Sequence, residues 1–389
     1  MKLSVATNFD NAFLQRIAAY PVEEIYGKLP RDFVGGGRAS YSTGTADKTE
    51  LESHVACAHS LGIKFSYVLN AVCLGNREWS RRGHQEIRKI LDYLSEIKVD
   101  SITVSIPYLA ELVKKRYPHF SVKVGIFANI DSPTRARFWE DLGANMLVLE
   151  SFSINRNFPV LKAIRDAVSC DLQLIANFSC LPKCPLQIYH MVGISHGSNT
   201  VDREPFMDYC VFKCSSLSMK DPSLLIKSQW IRPEDLSRYE ALGYSHFKLL
   251  ERNAPTEVLL NRVKAYAERI SPDNLLELIQ PFGFKKEIRK EFGWFWNVFL
   301  AKPTLIFPLY KLLKLRGLLY PLRGNPITLD SRKIPADFLD EIAVRPCSVA
   351  HDCVGCDYCR SISDDAYRAD PKYKQECLKL YQKVFDRLC

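Results

Sequence analysis

Short runs of β-branched and apolar residues alternate, over the first 270 residues, with longer stretches in which apolar residues recur every three or four positions. A short apolar run between turn residues predicts a buried strand, and the longer spacing predicts one face of an amphipathic helix. Eight strands are predicted on this basis, at Leu3–Ala6, Val22–Tyr26, Ile63–Leu69, Ile102–Ser105, Val122–Phe127, Met146–Leu149, Leu172–Ala176 and Phe247–Leu250.

Helical patterns fill the intervals between these strands, at Glu50–Leu61, His84–Ile97, Tyr108–Tyr117, Pro133–Leu142 and Phe158–Val168. Alternation of single strands with helices indicates a parallel sheet. Eight repeats over about 270 residues favour a closed (β/α)8 barrel, the TIM-barrel fold, over an open doubly wound sheet. The sequence therefore predicts an α/β protein with a barrel at 1–270, a helical aromatic and basic segment at 271–330 and a cysteine-rich tail at 331–389.

Polar residues stand at or just beyond the ends of several predicted strands. They include Asn70, Asn129, Glu150 and Arg252. Because barrel enzymes place their chemistry at the C-terminal ends of the strands, these residues are predicted to contact a substrate. Asparagine offers both donors and an acceptor, which suits an oxygen-rich small molecule. The alternative is that each residue only ends a strand as the chain leaves the core.

A run of three glycines and an arginine, Gly35-Gly36-Gly37-Arg38, follows the second predicted strand. Backbone amides and a guanidinium in such a loop can approach an anion. We therefore include Arg38 among the candidate substrate contacts. A flexible loop without ligand is the alternative.

Four cysteines form two C-x3-C pairs after the seventh predicted strand, Cys180 with Cys184 and Cys210 with Cys214. The N-terminus has no apolar signal core, so we expect a cytoplasmic protein, in which clustered thiols bind metal or do redox work more often than they form disulfides. The spacing is less typical of zinc knuckles than of iron–sulfur ligands, but zinc stays an alternative.

Two histidines, His190 and His196, lie in what we interpret as a loop between the cysteine pairs. Since the pKa of histidine lies near neutrality, either is a candidate for proton transfer or substrate contact. Asn177, just before the first pair, completes the set of candidate catalytic residues. Incidental loop positions are the alternative.

A second cysteine set lies in the tail, at Cys347, Cys353, Cys356 and Cys359. Its C-x2-C-x2-C part is similar to one arm of a bacterial ferredoxin. This second possible metal site would hold either another iron–sulfur cluster or zinc, and the spacing does not decide between them.

The net charge of +9 is concentrated in one segment. Residues 283–333 hold eleven Lys and Arg against three acidic residues, and the aromatic stretch at 292–324 lies inside this range. Lys302, Pro303, Pro308 and Lys311 interrupt any apolar run of the roughly 20 residues that a bilayer span requires. The segment is predicted to lie on an anionic membrane surface, with packing onto the barrel and single-stranded nucleic acid binding as alternatives.

The chain resembles the family filed as peptidase U32 over residues 1–270. The matching segments are AHSLGIKFSYVLNAV at 58–72, DLGANMLVLES at 141–151, NFSCLPKCP at 177–185, YCVFKC at 209–214 and QWIRPEDLSRYEALGYSHFKLLER at 229–252. The resemblance implies a [4Fe-4S] cluster held by the two C-x3-C pairs, and oxygen-independent hydroxylation of the kind associated with family members in ubiquinone synthesis and RNA modification. It also implies prephenate as an oxygen donor, for which Arg38 and Arg252 are candidate contacts. The tail cysteines and the aromatic segment lie outside the resemblance.

Three functions follow from these observations. The first is an iron–sulfur enzyme that hydroxylates or oxidises a lipid-like or other small molecule, at the membrane periphery, with RNA as an open substrate variant. The second is a peptidase, as the family label says, although the chain lacks HExxH, GxSxG and P-loop motifs. The third is a non-catalytic iron–sulfur protein that serves a protein partner.

Overall fold

The structure is a computed structural model, and the chain folds into two compact units. We call the first the barrel unit and the second the cysteine unit. The barrel unit comprises Met1–Phe178, Pro185–Phe206 and Gln229–Ile270, and the cysteine unit comprises Ser179–Cys184, Met207–Ser228 and Ser271–Cys389. The structure describes residues 1–40, 46–202, 206–251, 254–279, 303–317, 326–345, 347 and 353–388.

Eight parallel strands close into a barrel in chain order, which confirms the predicted fold. All eight predicted strands are present, with ends that differ by up to three residues. The strands are β1 Lys2–Ala6, β2 Val22–Gly27, β3 Lys64–Leu69, β4 Ser101–Val104, β5 Ser121–Val124, β6 Met146–Val148, β7 Asp171–Ile175 and β8 His246–Leu249.

The largest difference is at β5, which was predicted to continue to Phe127. The strand ends at Val124, and the chain turns into a 3-10 turn at Ile126–Ala128 that closes with Asn129 in the left-handed region at φ 51°. Gly125 lies between them, where a Cβ atom would come within 3.1 Å of Ser105 Oγ. The close approach of β4 explains why glycine stands where the strand ends.

The barrel interior contains a charged pair among both polar and apolar side chains. The Glu24 carboxylate of β2 accepts hydrogen bonds from Ser4 at 2.7 Å and Ser101 at 3.2 Å, and it pairs with Lys123. These side chains come from β1, β2, β4 and β5, so they meet inside the barrel. Buried charges are tolerated when they are paired and hydrogen-bonded, as here.

Helices on the outside begin at residues that satisfy their first amides. Asp47 and Glu50 form a capping box at the first of the long helices, and Ser80 caps the next. The helices of the barrel unit are α1 Asn11–Ile17, α2 Lys48–Ser60, α3 Arg81–Glu96, α4 Pro107–Arg116, α5 Pro133–Asp141, α6 Phe158–Ala167, α7 Gln187–His196, α10 Leu236–Glu240 and α11 Thr256–Glu268.

The cysteine unit is built from helices and one small antiparallel sheet. In chain order its elements are α8 Tyr209–Lys220, α9 Ser223–Lys227, α12 Leu276–Ile279, α13 Pro303–Gly317, β9 Ile327–Leu329, α14 Phe338–Ala343, α15 Tyr358–Ala366, β10 Tyr367–Ala369 and α16 Pro371–Leu388.

The last helix, α16, holds this unit together by packing against α8 and α13. The Tyr373 hydroxyl donates to the Leu315 carbonyl at 3.0 Å, and the Tyr209 ring contacts that of Phe385 with centroids 5.7 Å apart. Two stretches from within 1–270, Ser179–Cys184 and Met207–Ser228, therefore belong with the C-terminal part of the chain.

Candidate functional site

Helix α7 lies across the mouth of the barrel, which is the face formed by the C-terminal ends of the strands. At its start, Gln187 donates to Asn129, which follows β5. At its end, the Ser195 hydroxyl accepts from the Val72 amide at 3.1 Å, and the Ser198 hydroxyl accepts from the Gly36 amide at 2.8 Å. The segment was predicted as a loop, and this prediction was wrong.

Most of the polar residues predicted for the mouth are nearly buried and hydrogen-bonded to the barrel itself. The Asn70 carbonyl oxygen accepts from the Gly37 amide at 2.9 Å. The Asn177 side chain donates to the Leu250 carbonyl at 2.8 Å and accepts from the Leu250 amide at 2.7 Å. Asn177 thus joins the ends of β7 and β8, which favours a structural role over a catalytic one.

Glu150 is a buried carboxyl group at the end of β6. Burial raises its pKa, while hydrogen bonds from the Ser153 hydroxyl and from the amides of Phe152 and Ser153 oppose the shift. The net direction is upward, so Glu150 retains its proton more readily than an exposed glutamate. Glu150 is therefore a predicted substrate contact whose carboxyl group is held away from water.

The glycine run packs tightly against its neighbours. Gly35 has φ +83°, and a Cβ atom there would lie 2.6 Å from the Ser195 carbonyl oxygen. The amides of Gly35 and Gly36 donate to Asp32 and Ser198, as that of Gly37 does to Asn70. Close approach to α7 therefore explains the glycines, and their amides have acceptors within the protein.

Arg38 forms a two-point ion pair with Glu251, with nitrogen–oxygen distances of 3.0 and 2.5 Å. An anionic ligand would therefore meet a guanidinium that already has a carboxylate beside it. Arg252 lies outside the described residues, so its predicted contact stays a prediction.

A buried group at the mouth was missed in the sequence. Lys28 directly follows β2, and its ammonium lies 2.8 Å from Asp32, which also accepts from the Tyr67 hydroxyl at 3.1 Å and from the Gly35 amide. Burial, together with the Asp32 charge, raises the pKa of Tyr67 well above its ordinary value. A lysine immediately after an apolar strand is the signal by which it could have been found.

The two candidate histidines both lie on α7. His196, at the last residue of the helix, has its Nδ1 atom 2.5 Å from Asp202. Asp202 also accepts from Asn199 at 2.7 Å and from Arg77 at 3.1 Å. Despite the opposing effect of burial, the hydrogen bonds from Asn199 and His196 and the Arg77 charge hold the pKa of Asp202 below its usual value.

This arrangement gives His196 a fixed orientation. With Nδ1 directed at a carboxylate, Nε2 is the ring nitrogen left to exchange a proton with another group, and a third of the side chain is exposed. Asp202 and Arg77 were not identified in the sequence, because nothing in their spacing distinguishes them from ordinary surface charges. His190 is half-buried within the same helix.

The four cysteines of the C-x3-C pairs all lie in the cysteine unit. Cys210 and Cys214 are four residues apart on α8, so they share one face of its first two turns. Burial raises the pKa of the Cys210 thiol to about 12, and the nearby Asp208 and Cys184 groups contribute. Cys184 and Cys210 are thus near enough to interact electrostatically, which links the two pairs.

The donor chemistry of these residues fits an iron–sulfur cluster, since thiolates are its usual ligands. Within the part of the chain that the structure describes, however, no three His, Cys, Asp or Glu side chains are grouped so as to hold a metal ion. The ligand set stays a prediction.

The second cysteine set is spread over a turn and the start of α15. Cys359 is buried, Cys353 is exposed, and the Cys356 amide donates to the Cys353 carbonyl at 3.2 Å. Cys347 lies between residues outside the described ranges. A metal at this set also stays a prediction.

Of the aromatic stretch at 292–324, the structure describes only α13, because residues 280–302 and 318–325 lie outside the described part. Ile306, Phe307 and Tyr310 are exposed on this helix. Among the described residues, no helix combines the length and apolar character needed to cross a membrane. The predicted contact with a membrane surface is not tested by these observations.

One hydroxyl–imidazole–amide chain has the connectivity of a hydrolase triad. The Thr7 hydroxyl lies 2.6 Å from His54 Nε2, and His54 Nδ1 lies 2.6 Å from the Asn11 carbonyl oxygen. Thr7 and His54 are buried, and burial lowers the pKa of His54 to about 4, against the opposing charge of Asp10. The chain therefore joins β1 to α2 and offers no access to a substrate.

Comparison with known proteins gives the following similarities. The model of Peptidase family U32 matches residues 17–173. The uncharacterized protease MJ1657 of Methanocaldococcus jannaschii is 37% identical over 257 residues, which are 66% of this chain and 75% of that protein. The solved structure of the U32 peptidase Mk0906 has 20% sequence identity and a TM-score of 0.48, covering 65% of this chain and 93% of that one. The solved structure of a phosphoribosyl anthranilate isomerase from Thermus thermophilus has 13% sequence identity and a TM-score of 0.37, covering 69% of this chain and 96% of that one.

Proposed function

Because this chain belongs to the peptidase U32 family, and because its resemblance to family members implies a cluster ligated by cysteines, we propose that it is an iron–sulfur enzyme. Its proposed reaction is the hydroxylation or other oxidation of a small or lipid-like organic molecule without molecular oxygen. The observation that carries the proposal is the position of the two C-x3-C pairs in one compact unit, with Cys184 close enough to Cys210 to affect its pKa.

In this proposal Cys180, Cys184, Cys210 and Cys214 hold a [4Fe-4S] cluster, which supplies one-electron transfer when bound. Conversion of a C–H bond to C–OH removes two electrons from the substrate and adds an oxygen atom. A donor that gives up an oxygen atom balances both, and prephenate is the donor that the family resemblance implies.

The barrel unit carries groups suited to acid–base chemistry. His196 accepts or donates a proton at Nε2, while Asp202 fixes the ring through Nδ1 and Arg77 fixes Asp202. Helix α7 shields the mouth from water, which strengthens each polar contact there. Glu150, whose pKa is raised by burial, is the carboxyl group at the mouth that we assign to contact with the substrate.

Peptidase activity is the alternative, supported by the family name and by the name of the M. jannaschii relative. The hydroxyl and imidazole of Thr7 and His54 are the pair with suitable connectivity, and both are buried. The iron–sulfur proposal is therefore preferred.

The proposal is tested by anaerobic purification with iron and sulfide analysis and electron paramagnetic resonance of the reduced protein. We expect about four iron atoms and four sulfides per occupied site. Cys180→Ser and Cys214→Ser should each lose the signal, whereas Cys57→Ser, on α2 of the barrel unit, should keep it. A colourless protein with zinc and no labile sulfide would contradict the proposal.

A further inference from the structure

A cleft of about 720 Å³ lies between the start of α3 and the start of α4 on the outer wall of the barrel. It includes none of the residues predicted for the mouth or for the cysteine sites. Three aromatic or imidazole side chains line it, Trp79, His84 and Tyr108. It continues along α4 as a narrower groove of about 400 Å³ that reaches Arg116.

Trp79 is 69% exposed, which is unusual for the side chain with the largest apolar surface. Its ring lies 4.9 Å from that of Tyr108, at an angle of 56°. The Tyr108 hydroxyl is fixed in turn by His84 Nδ1 at 2.9 Å. The indole thus has one face against a tyrosine and further surface open to a ligand.

The position of Trp79 is fixed by the 3-10 turn Arg77–Trp79 that carries it. Arg77 is bound to Asp202, and the Arg77 carbonyl accepts from the Ser80 hydroxyl at 2.8 Å. Gly83, in the first turn of α3, packs directly beneath that carbonyl. An aromatic ring presented by an ordered turn loses little conformational entropy when it binds a ligand.

Positive charge surrounds the aromatic pair. Arg81 and Arg88 line the cleft, and Arg116 lines its extension. Within the described ranges of the chain, none of these three guanidinium groups has an ion pair. Planar guanidinium groups bind phosphate and carboxylate through paired hydrogen bonds.

The cleft also contains a hydrogen-bond acceptor. The Oε2 atom of Glu78 is buried and, among the residues that the structure describes, has no hydrogen-bond partner. Burial and the Glu78 charge raise the pKa of Tyr108, which places this carboxylate beside the aromatic pair. Because this atom is buried, a ligand N–H or O–H group in the cleft would reach it once the Glu78 side chain turned towards the cleft.

We propose that this cleft binds a nucleoside phosphate. The base stacks on Trp79, the phosphate binds Arg81 and Arg88, and a ribose hydroxyl or an exocyclic amine of the base donates to Glu78. A planar ring, a negative charge and a donor in one small molecule match the three features of the cleft. The proposal does not depend on the cysteines or on the reaction at the mouth.

The test is titration of the full-length protein with adenosine 5′-monophosphate, followed by calorimetry and by tryptophan fluorescence. We expect saturable binding, with adenosine alone and inorganic phosphate each at least about tenfold weaker. Trp79→Ala should weaken binding by about tenfold or more, the range expected from loss of base stacking. Arg88→Gln should weaken it several-fold and reduce its salt dependence.

Two matched controls separate the cleft from general surface effects. Phe138→Ala removes another exposed aromatic ring, on α5, and Arg82→Gln removes the arginine next to Arg81 that does not line the cleft. Neither should change the affinity. No saturation at millimolar nucleotide, or affinity unaltered by Trp79→Ala, would overturn the proposal, as would binding of oligonucleotides without binding of the mononucleotide.

Discussion

At the scale of single residues, burial decides what several groups at the barrel can do. The buried His54 is neutral over the physiological range, because its folded-state pKa of about 4 lies below the ordinary value of 6.5. The unfolded chain therefore takes up a proton between these values and the folded protein does not. Stability is fully present above pH 6.5 and is lost as the pH falls towards 4.

The free energy of unfolding should therefore depend measurably on pH. The free energy of unfolding should fall by roughly 1.4 kcal/mol per pH unit between pH 6.5 and 4, about 3 kcal/mol in total, through His54 alone. Denaturant unfolding at a series of pH values should show this component in the wild type and lack it in His54→Gln. His59→Gln, on the exposed side of the same helix, is the control and should keep the slope. An equal slope in His54→Gln would mean that the imidazole is protonated in the folded state.

Sequence patterns predicted the individual site residues less well than they predicted the strands. The strand ends correctly located the mouth, but Asn70 and Asn177 proved to be hydrogen-bonded to the backbone of neighbouring segments. Asp202 is paired with Arg77, which is distant in sequence, whereas Lys28 is paired with Asp32, four residues away. Spacing along the chain carries no information about a partner such as Arg77, so Asp202 is recognised only when the fold is known.

At the scale of elements, prediction succeeded where hydrophobic periodicity was strong. All eight strands were found because each is a short buried run between turn residues. Helix α7 was missed because Gly193, Ser195 and His196 have low helix propensity. Burial of Met191 and Ile194 supplies the stabilisation that propensity does not.

Gly83, in the first turn of α3, packs closely against the turn that precedes this helix. A Cβ atom on Gly83 would lie 1.9 Å from the Arg77 carbonyl oxygen. Gly83→Ala must therefore displace either the turn or the helix, at a cost of about 1–3 kcal/mol as for other overpacked sites. Thermal unfolding measures the cost, and nucleotide titration should show weaker binding because Trp79 moves with the turn. Gln85→Ala, in the same helix, should unfold like the wild type.

At the scale of the whole molecule, the sequence predicted a barrel followed by an extension, and the contacts divide the chain differently. The segments that carry the C-x3-C pairs pack with the C-terminal helices, so one compact unit contains both cysteine sets. A domain prediction from sequence alone places a segment in the same domain as the residues on either side of it. Insertions from one unit into another are therefore hidden until contacts are known.

The exposed side of α13 allows the membrane prediction to be tested. Phe307 is 71% exposed, with Ile306 and Tyr310 beside it. If the helix lies in an anionic headgroup layer, flotation with phosphatidylserine vesicles should recover the protein at low salt, and Phe307→Ser with Tyr310→Ser should reduce recovery several-fold. Phe138→Ser is the control. Equal recovery for all variants would assign any lipid binding to another part of the chain.

Helix α7 is fastened on opposite sides of the opening, to Asn129 on one side and to Val72 and Gly36 on the other. Movement of α7 away from the mouth requires that one of these attachments is broken. The rates at which a ligand enters and leaves the mouth would then depend on how often these hydrogen bonds break. In an enzyme of this design, product release would limit the rate of turnover. If the mouth is the active site, weakening one attachment, as in Gln187→Ala, should increase the rates of ligand entry and exit.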